Sequence, residues 1–384
     1  MRILGLNLLL LTTFSSHLIA SEPEIKVRIG RSLHQISLSG SDIKQEIRGN
    51  IPKKVFPGRK SISFNCDPIL KKLKRHKPLM LTSLASETGL IKWNKTGYVG
   101  KLSIVTSINR TGCDLINQIP LEIYISSLLS KEMSPVWPLE ALKAQAVAAR
   151  SYAYHKMVTK QVSKNNGFNV FYDLENSEKH QVNGSFFDTT ASTTMASKQT
   201  KGEVLVIGAS ELTPIFFHSK CGGKTLRPDQ VWSNYVKGYQ SVDCPFCHKH
   251  GKKNWSHTVK KSKFKNMVNK TLIKYHKESL QSNKLSQFRM TTDSKSRAYI
   301  RVYDDERQLQ VKKSRLRSLL GREKAASNYF QISDKGDSVK LEGKGFGHGV
   351  GLCQYGAFEL AKRGYTYKQI LSHYFPEHSL KKIY

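Results

Sequence analysis

"EMSPVWPLEALKAQAVAAR", residues 132–150, joins two helices through a proline-flanked turn. Upstream, Pro120 suits a first helical turn, and Leu121, Ile125 and Leu128 then share one face. Glu132 falls on that same face, so a carboxylate continues an apolar stripe. An acid there is costly unless it is paired or the helix end opens into a cleft. The other reading is a helix frayed at Ser130, with Glu132 solvated. Pro135 and Pro138 stop the first helix, and Pro138 can start the second. Leu139, Leu142, Ala146, Ala149 and Ala153 make the second helix's core face, where the alanines admit a close neighbour. Lys143, Val147, Arg150 and Tyr154 line the adjacent face. Two cations there read either as a solvated face or as a stripe for an anion. Glu140, in the first turn, complements the helix dipole.

Working outward, the chain begins MRILGLNLLLLTTFSSHLIA. A short apolar run after one arginine predicts a signal peptide over 1–20, cleaved after Ala20; an uncleaved anchor is the alternative. Export to the periplasm or cell envelope follows. Residues 21–115 read as a β-rich region, because "EIKVRIGRSLHQISLSG" and "KLSIVTSI" alternate apolar and polar. Residues 249–330 are lysine-rich, with helical pieces such as "SRLRSLLGR", and read as a basic, variable, solvated region. Strands and helices without regular βαβ alternation predict an α+β fold. The net charge of +33 calls for a polyanionic partner. Wall glycan carboxylates and anionic lipid are candidates. Nothing matches a nucleic-acid-binding signature, so no nucleic acid is expected.

The chain has six cysteines. Cys66, Cys113 and Cys353 stand apart. Cys244 and Cys247 form C-x2-C, and His218 and Cys221 form H-x2-C, a donor set for a tetrahedral zinc, with His248 as a substitute for His218. A disulfide, or free or redox-active thiols, are the alternatives. Any metal would be structural; no cofactor is expected for catalysis, since no HExxH or carboxylate cluster appears. Near the end, "GKGFGHGVGLCQYGAFELAKRGYTYKQILSHYF" places glycines at alternate positions, Gly343 to Gly351, which lets another backbone come close. It lacks the ending of a P-loop, which excludes that mode of nucleotide binding.

Three blocks together resemble the SpoIID/LytB family. They are "IPLEIYISSLLSKEMSPVWPLEALKAQAVAARSYA", "FFHSKCGGKTLRPDQVWSNYVKGYQSV" and the glycine block just quoted. The resemblance covers roughly residues 116–384 and no part of 21–115. It implies a two-lobed molecule with a cleft. It also implies a lytic transglycosylase that cuts peptidoglycan glycan strands, preferably those stripped of stem peptides, or a protein that enhances a cell-wall amidase. The family's catalytic glutamate falls on Glu132, although the chain reads Glu-Met-Ser-Pro, one residue longer than Glu-Met-Pro. Substrate-side residues fall on Lys143, Arg150, Tyr235, Lys237, Asp243, His348, Gln354 and Tyr355. Some members carry zinc around the stretch matching "NVFYDLENSEKHQVNG", of whose ligands only His180 is kept here.

The implied chemistry needs one carboxyl group. Glycoside cleavage usually uses two. In a transglycosylase the muramic 6-hydroxyl attacks its own anomeric carbon, and one glutamate gives a proton and then takes one back. A helix C-terminus and an apolar face would both favour the protonated acid. Cations would grip the lactyl carboxylates of stripped strands. With water as attacker the enzyme would be a muramidase, and Asp243 would assist.

Overall fold

The computed structural model describes residues 21–47, 51–72, 78–86, 89–162, 171–176, 188–232, 234–249, 254–282, 284–292 and 297–384. The candidate signal peptide and His180 lie outside them. The fold is α+β, as the sequence pattern indicates. None of the described helices is long and apolar enough to cross a membrane.

The alternating N-terminal residues build a nine-stranded sheet. Strand Glu24–Leu33 pairs antiparallel with Cys113–Pro120 and parallel with the short Leu174–Glu175. Strand Gln35–Ile47 pairs along most of its length with Ile51–Asn65. Ile36, Leu38, Leu102, Ile104 and Leu115 point into one core. Burying side chains of this size contributes about 1.5–3 kcal/mol each. Cys66 and Cys113, which the sequence left unpaired, form a disulfide across 47 residues on this core. It ties the end of a long hairpin to the start of the strand that leads into the helix ending at Glu132.

That strand ends at Pro120, and helix Leu121–Glu132 follows without a loop. The Leu121 amide donates to the Pro23 carbonyl at 2.9 Å, so the sheet fixes where the helix starts. Leu121, Ile125 and Leu128 are fully buried, as their spacing predicts. Helix Leu139–Val162 is the centre of a second core. Its Leu142, Ala146, Ala149 and Ala153 are also fully buried. Helices Ala191–Gln199, Gln354–Lys362 and Tyr367–Tyr374, and strand Glu203–Val206, all pack on it. Small side chains are what allow one helix to accept so many neighbours. Reciprocal Thr–Gln and Thr–Thr capping boxes fix the starts of Tyr367–Tyr374 and Ala191–Gln199.

The lysine-rich stretch differs from the sequence reading. It is not merely a solvated region but holds a third core of its own, including Phe264, Val268, Phe288, Ile300, Val302 and Leu341. Two three-stranded sheets carry it, Asn254–Lys260 with Ser338–Lys344 and Phe330–Asp334, and Phe288–Thr292 with Tyr299–Asp304 and Arg307–Lys312. Strand Tyr299–Asp304 shows why the charge count misleads. Its Ile300, Val302 and Asp304 are buried while Tyr299, Arg301 and Tyr303 are only partly so.

The alternate glycines serve close approach, as expected. At Gly351 (φ +71°) a Cβ would run into the Phe216 carbonyl, and at Gly345 (φ +82°) into the Lys220 carbonyl. The block can therefore lie against 216–220, with strand Leu352–Cys353 parallel to Phe217–His218. Strand Phe217–His218 is short, consistent with Pro214 upstream, which has no N–H to give a ladder.

Candidate functional site

Glu132 is the last residue of its helix, half-buried, with Met133 behind it buried. The Met133 amide still donates to Leu129 at 2.9 Å, so the helix does not fray at Ser130. The following turn is tied down twice. The Trp137 amide donates to the Ser134 carbonyl at 3.1 Å, and the Ser192 hydroxyl donates to the Pro135 carbonyl at 2.7 Å. This accommodates the extra residue of Glu-Met-Ser-Pro.

Gln354 reaches Glu132 from the glycine block. Its Nε2 donates to Glu132 Oε2 at 3.2 Å and lies 3.4 Å from Gln145 Oε1. Gln354 opens helix Gln354–Lys362 and is 5% exposed, so the bond is made in a protected place. Tyr124, one helical face back, is fully buried; burial, and then the Glu132 carboxylate beside it, push its phenol well above its ordinary pKa. Tyr355 follows Gln354 and meets Trp137 edge-on at 5.0 Å, while Trp137 also packs on Phe358 at 4.8 Å. Lys220 Nζ lies 5.1 Å from the Tyr355 ring centre. Gln354 thus links the acid to a helix that also carries the Tyr355 and Phe358 rings packed on Trp137.

Several expected residues do other work. Arg150 is 0% exposed and cannot face a substrate. Its Nε and Nη2 donate to Glu122 at 2.8 and 2.6 Å, and its remaining donors meet the Glu203 and Ser197 carbonyls and Thr200. Lys143 is held by Glu140 at 2.7 Å and lies over the Tyr367 ring. Glu140 also accepts from the Tyr367 amide, so this end of the helix is docked rather than open. Lys237 is paired with Glu211 at 2.6 Å on the surface. Asp243 is paired with Lys224 at 3.1 Å, its side chain 78% exposed, which offers no second acid poised like Glu132. Tyr235 is 77% exposed and stays available as a contact.

His348 packs among Trp232, His218 and Phe216 rather than standing forward. Burial, helped by the neighbouring His218 and Arg317, holds it well below the ordinary histidine pKa, so it is neutral at physiological pH. Its Nδ1 accepts from the Val350 amide at 3.1 Å, which leaves a neutral ring bracing the glycine block. A cavity of about 530 Å³ lies in the third-core unit, lined by Trp255 and Tyr329 among others, and Glu132 is not part of its lining.

The proposed zinc ligands converge, with one exchange. The Sγ atoms of Cys221, Cys244, Cys247 and Cys353 all lie within 4.8 Å of one another. His218 is not among them. Its Nδ1 pairs with the Val350 carbonyl at 3.0 Å and its ring packs on His348. His248, an exposed residue, does not join either. Cys353, read as isolated, takes the fourth place because Leu352–Cys353 pairs directly with Phe217–His218, three residues before Cys221.

Sequence reasoning missed Trp137, Gln145, Lys220 and Cys353. Trp137 had a signal, as an aromatic residue between the two prolines of the quoted turn. Lys220 and Cys353 had none, since their place depends on one parallel bridge between distant segments.

Comparison with known proteins finds several relatives. The SpoIID family, stage II sporulation protein, matches residues 109–207, and a domain of unknown function, DUF8618, matches 247–351. An uncharacterised protein of Brachyspira hyodysenteriae is 31% identical over 262 residues, 68% of this chain and 66% of that one. Stage II sporulation protein D of Bacillus subtilis is 27% identical over 277 residues, 70% of this chain and 76% of that one. The amidase enhancer of the same organism is 28% identical over 292 residues, 66% of this chain and 39% of that one. The chain thus spans just under two thirds of the first relative and well under half of the last. With the Glu-Met-Ser-Pro turn and the glycine block joined through Glu132 and Gln354, the chain carries a SpoIID domain over residues 109–207 and is similar beyond it to proteins of the SpoIID/LytB family.

Proposed function

We propose that this protein is an exported peptidoglycan lytic transglycosylase in which Glu132 is the general acid and base. One observation carries the reading. Glu132 ends a largely buried helix and has an oxygen held by Gln354, whose own helix carries Tyr355 and Phe358 packed on Trp137. Aromatic faces suit sugar rings, and a held carboxyl suits proton transfer to a glycosidic oxygen. In the reaction, protonated Glu132 gives its proton to the leaving oxygen as the C1–O bond breaks. The muramic 6-hydroxyl then bonds to C1 and returns its proton to Glu132. The products are a shortened strand and a 1,6-anhydro end, with no water consumed. Arg150 and Lys220 are both buried, which leaves the exposed Tyr235 as a candidate contact for the glycan. Placement in the periplasm or cell envelope fits the Cys66–Cys113 disulfide.

The test is to incubate purified protein with glycan stripped of stem peptides and to examine the products by mass spectrometry. Anhydro ends from wild type, and none from Glu132→Gln, are expected. Hydrolytic ends would make it a muramidase, and equal cleavage by both proteins would remove Glu132 from the chemistry. The amidase-enhancer relative supports a second reading, a glycan-binding partner of a cell-wall amidase. Under that reading Glu132→Gln would stimulate an added amidase as well as wild type does.

A further inference from the structure

The geometry points to a closed tetrathiolate zinc site formed by Cys221, Cys244, Cys247 and Cys353. Buried free cysteines are common as small apolar side chains, so burial alone says little. Here four come from three distant segments and converge within 4.8 Å. A zinc ion with Zn–S bonds of about 2.3 Å places its sulfurs about 3.8 Å apart. Cys221 and Cys247 are already 3.5 Å apart. None of the four is disulfide-bonded.

The surroundings suit thiolates rather than thiols. Four thiolates around one Zn²⁺ carry two excess negative charges, which need donors. The Cys221 amide points at Cys353 Sγ and the Gly223 amide at Cys221 Sγ, each at 3.4 Å. The Tyr374 hydroxyl lies 3.2 Å from Cys244 Sγ. Gly222 and Gly223 both have positive φ, which turns the chain so that the amide faces the sulfur. The two ligand turns are laced together, with Thr225 donating to Val242 and Cys244 to Gly223, both at 2.9 Å. At Gly356 a side chain would strike Cys244 Sγ and the Tyr374 hydroxyl, so the helix approaches bare.

The donor set is saturated by protein, which makes the metal structural. Binding would convert thiols to thiolates and release their protons. The ion would join the 221–223 turn, the 244–247 turn and Cys353, the residue before Gln354. It would therefore hold the start of the helix that presents Gln354 to Glu132. The assignment of the site itself stands apart from the reading of Glu132.

The test is metal analysis of full-length protein purified under mild reductant without chelator. One zinc per chain is expected in wild type and in His218→Ala, and near-complete loss in Cys353→Ser. Should Cys353→Ser fail to fold, cobalt exchange into wild type decides the matter by an independent readout. Strong sulfur-to-cobalt charge transfer with tetrahedral d–d bands at tetrathiolate intensity supports the site. Metal-free wild type, whether its thiols titrate or are found as a disulfide, overturns it. So does zinc lost in His218→Ala but kept in Cys353→Ser, or a cobalt spectrum of octahedral form.

Discussion

Helix Leu121–Glu132 carries a glutamate near each end, and the two are used oppositely. Glu122 is enclosed by Arg150 in two-pronged contact, the Ser197 hydroxyl, the Gly202 amide and the Tyr384 hydroxyl at 2.6 Å. Glu132 is half-buried and meets a neutral amide at 3.2 Å. A carboxylate committed to a cation and three further donors cannot pick up a proton at neutral pH without breaking its cage. The residue type is the same; Glu122 is locked into the fold, and Glu132 is the one proposed for chemistry.

The sharpest way to break this comparison is to make the same change at both ends. Glu132→Gln should lower cleavage of stripped glycan by about 10²–10⁴-fold or more, the range for losing a general acid. Its urea midpoint should stay within about 0.5 kcal/mol of wild type. Glu122→Gln should instead destabilise by about 3–5 kcal/mol, because Arg150 stays buried without its counter-ion. Its cleavage rate per folded molecule should be close to wild type. If Glu122→Gln is stable and Glu132→Gln unfolds, the division of labour is wrong. Arg150→Ala should resemble Glu122→Gln, with a fall in thermal midpoint rather than a selective loss of glycan binding. An apolar double replacement, Glu122→Leu with Arg150→Met, should recover much of the stability in the same urea titration.

Acid should expose the first glutamate. Burial pushes the Glu122 carboxyl up, but Arg150, Ser197 and Tyr384 outweigh it, and the net pKa lies below the ordinary value of 4.5. A depressed folded pKa gives stability that is complete above the unfolded value and is lost as pH falls through it. Wild type should thus lose stability below about pH 4.5, and Glu122→Gln should show a shallower loss there. Parallel acid limbs for the two proteins would contradict the role given to this carboxylate.

Smaller effects sharpen the site. Gln354→Leu removes the donor to Glu132 and should lower kcat about 10-fold, near the worth of one hydrogen bond to a charged group. KM should change less, since Gln354 is buried; a pure KM effect would make it a substrate contact. Lys143→Ala breaks a partly exposed pair with Glu140 and should cost less than about 1 kcal/mol, read from the thermal midpoint.

What the sequence could reveal depended on how local the cause was. Glu132, its apolar stripe and the alanine face are set by helical spacing, and the structure keeps them. The glycine block announces close approach, and Gly345 and Gly351 need it. Arg150 misled because periodicity cannot tell a buried, paired cation from a solvated one. Its partner Glu122 was in the same block, but nothing in spacing links two helices. Cys66 and Cys113 pair, and Cys353 joins the other cysteines, only once sheet register is known. The lysine-rich segment hid its strands because its many lysines mask the alternation of Ile300 and Val302 that helps make its core.

Strands Asn254–Lys260 and Ser338–Lys344 are antiparallel neighbours throughout, with Asn254 opposite Lys344. The polypeptide thus departs from the helical core and comes back to it at almost the same place, separated by one strand spacing of about 5 Å. A stretch with its two ends side by side behaves as an exchangeable cassette. Its solvent-facing lysines can change freely, whereas Arg297, Lys312, Ser314 and Asn328 tie it to Lys224, Asp229, Val231 and His348. Much of the chain's basic character can therefore vary so long as Ser327 and Asn328 keep bracing the glycine block.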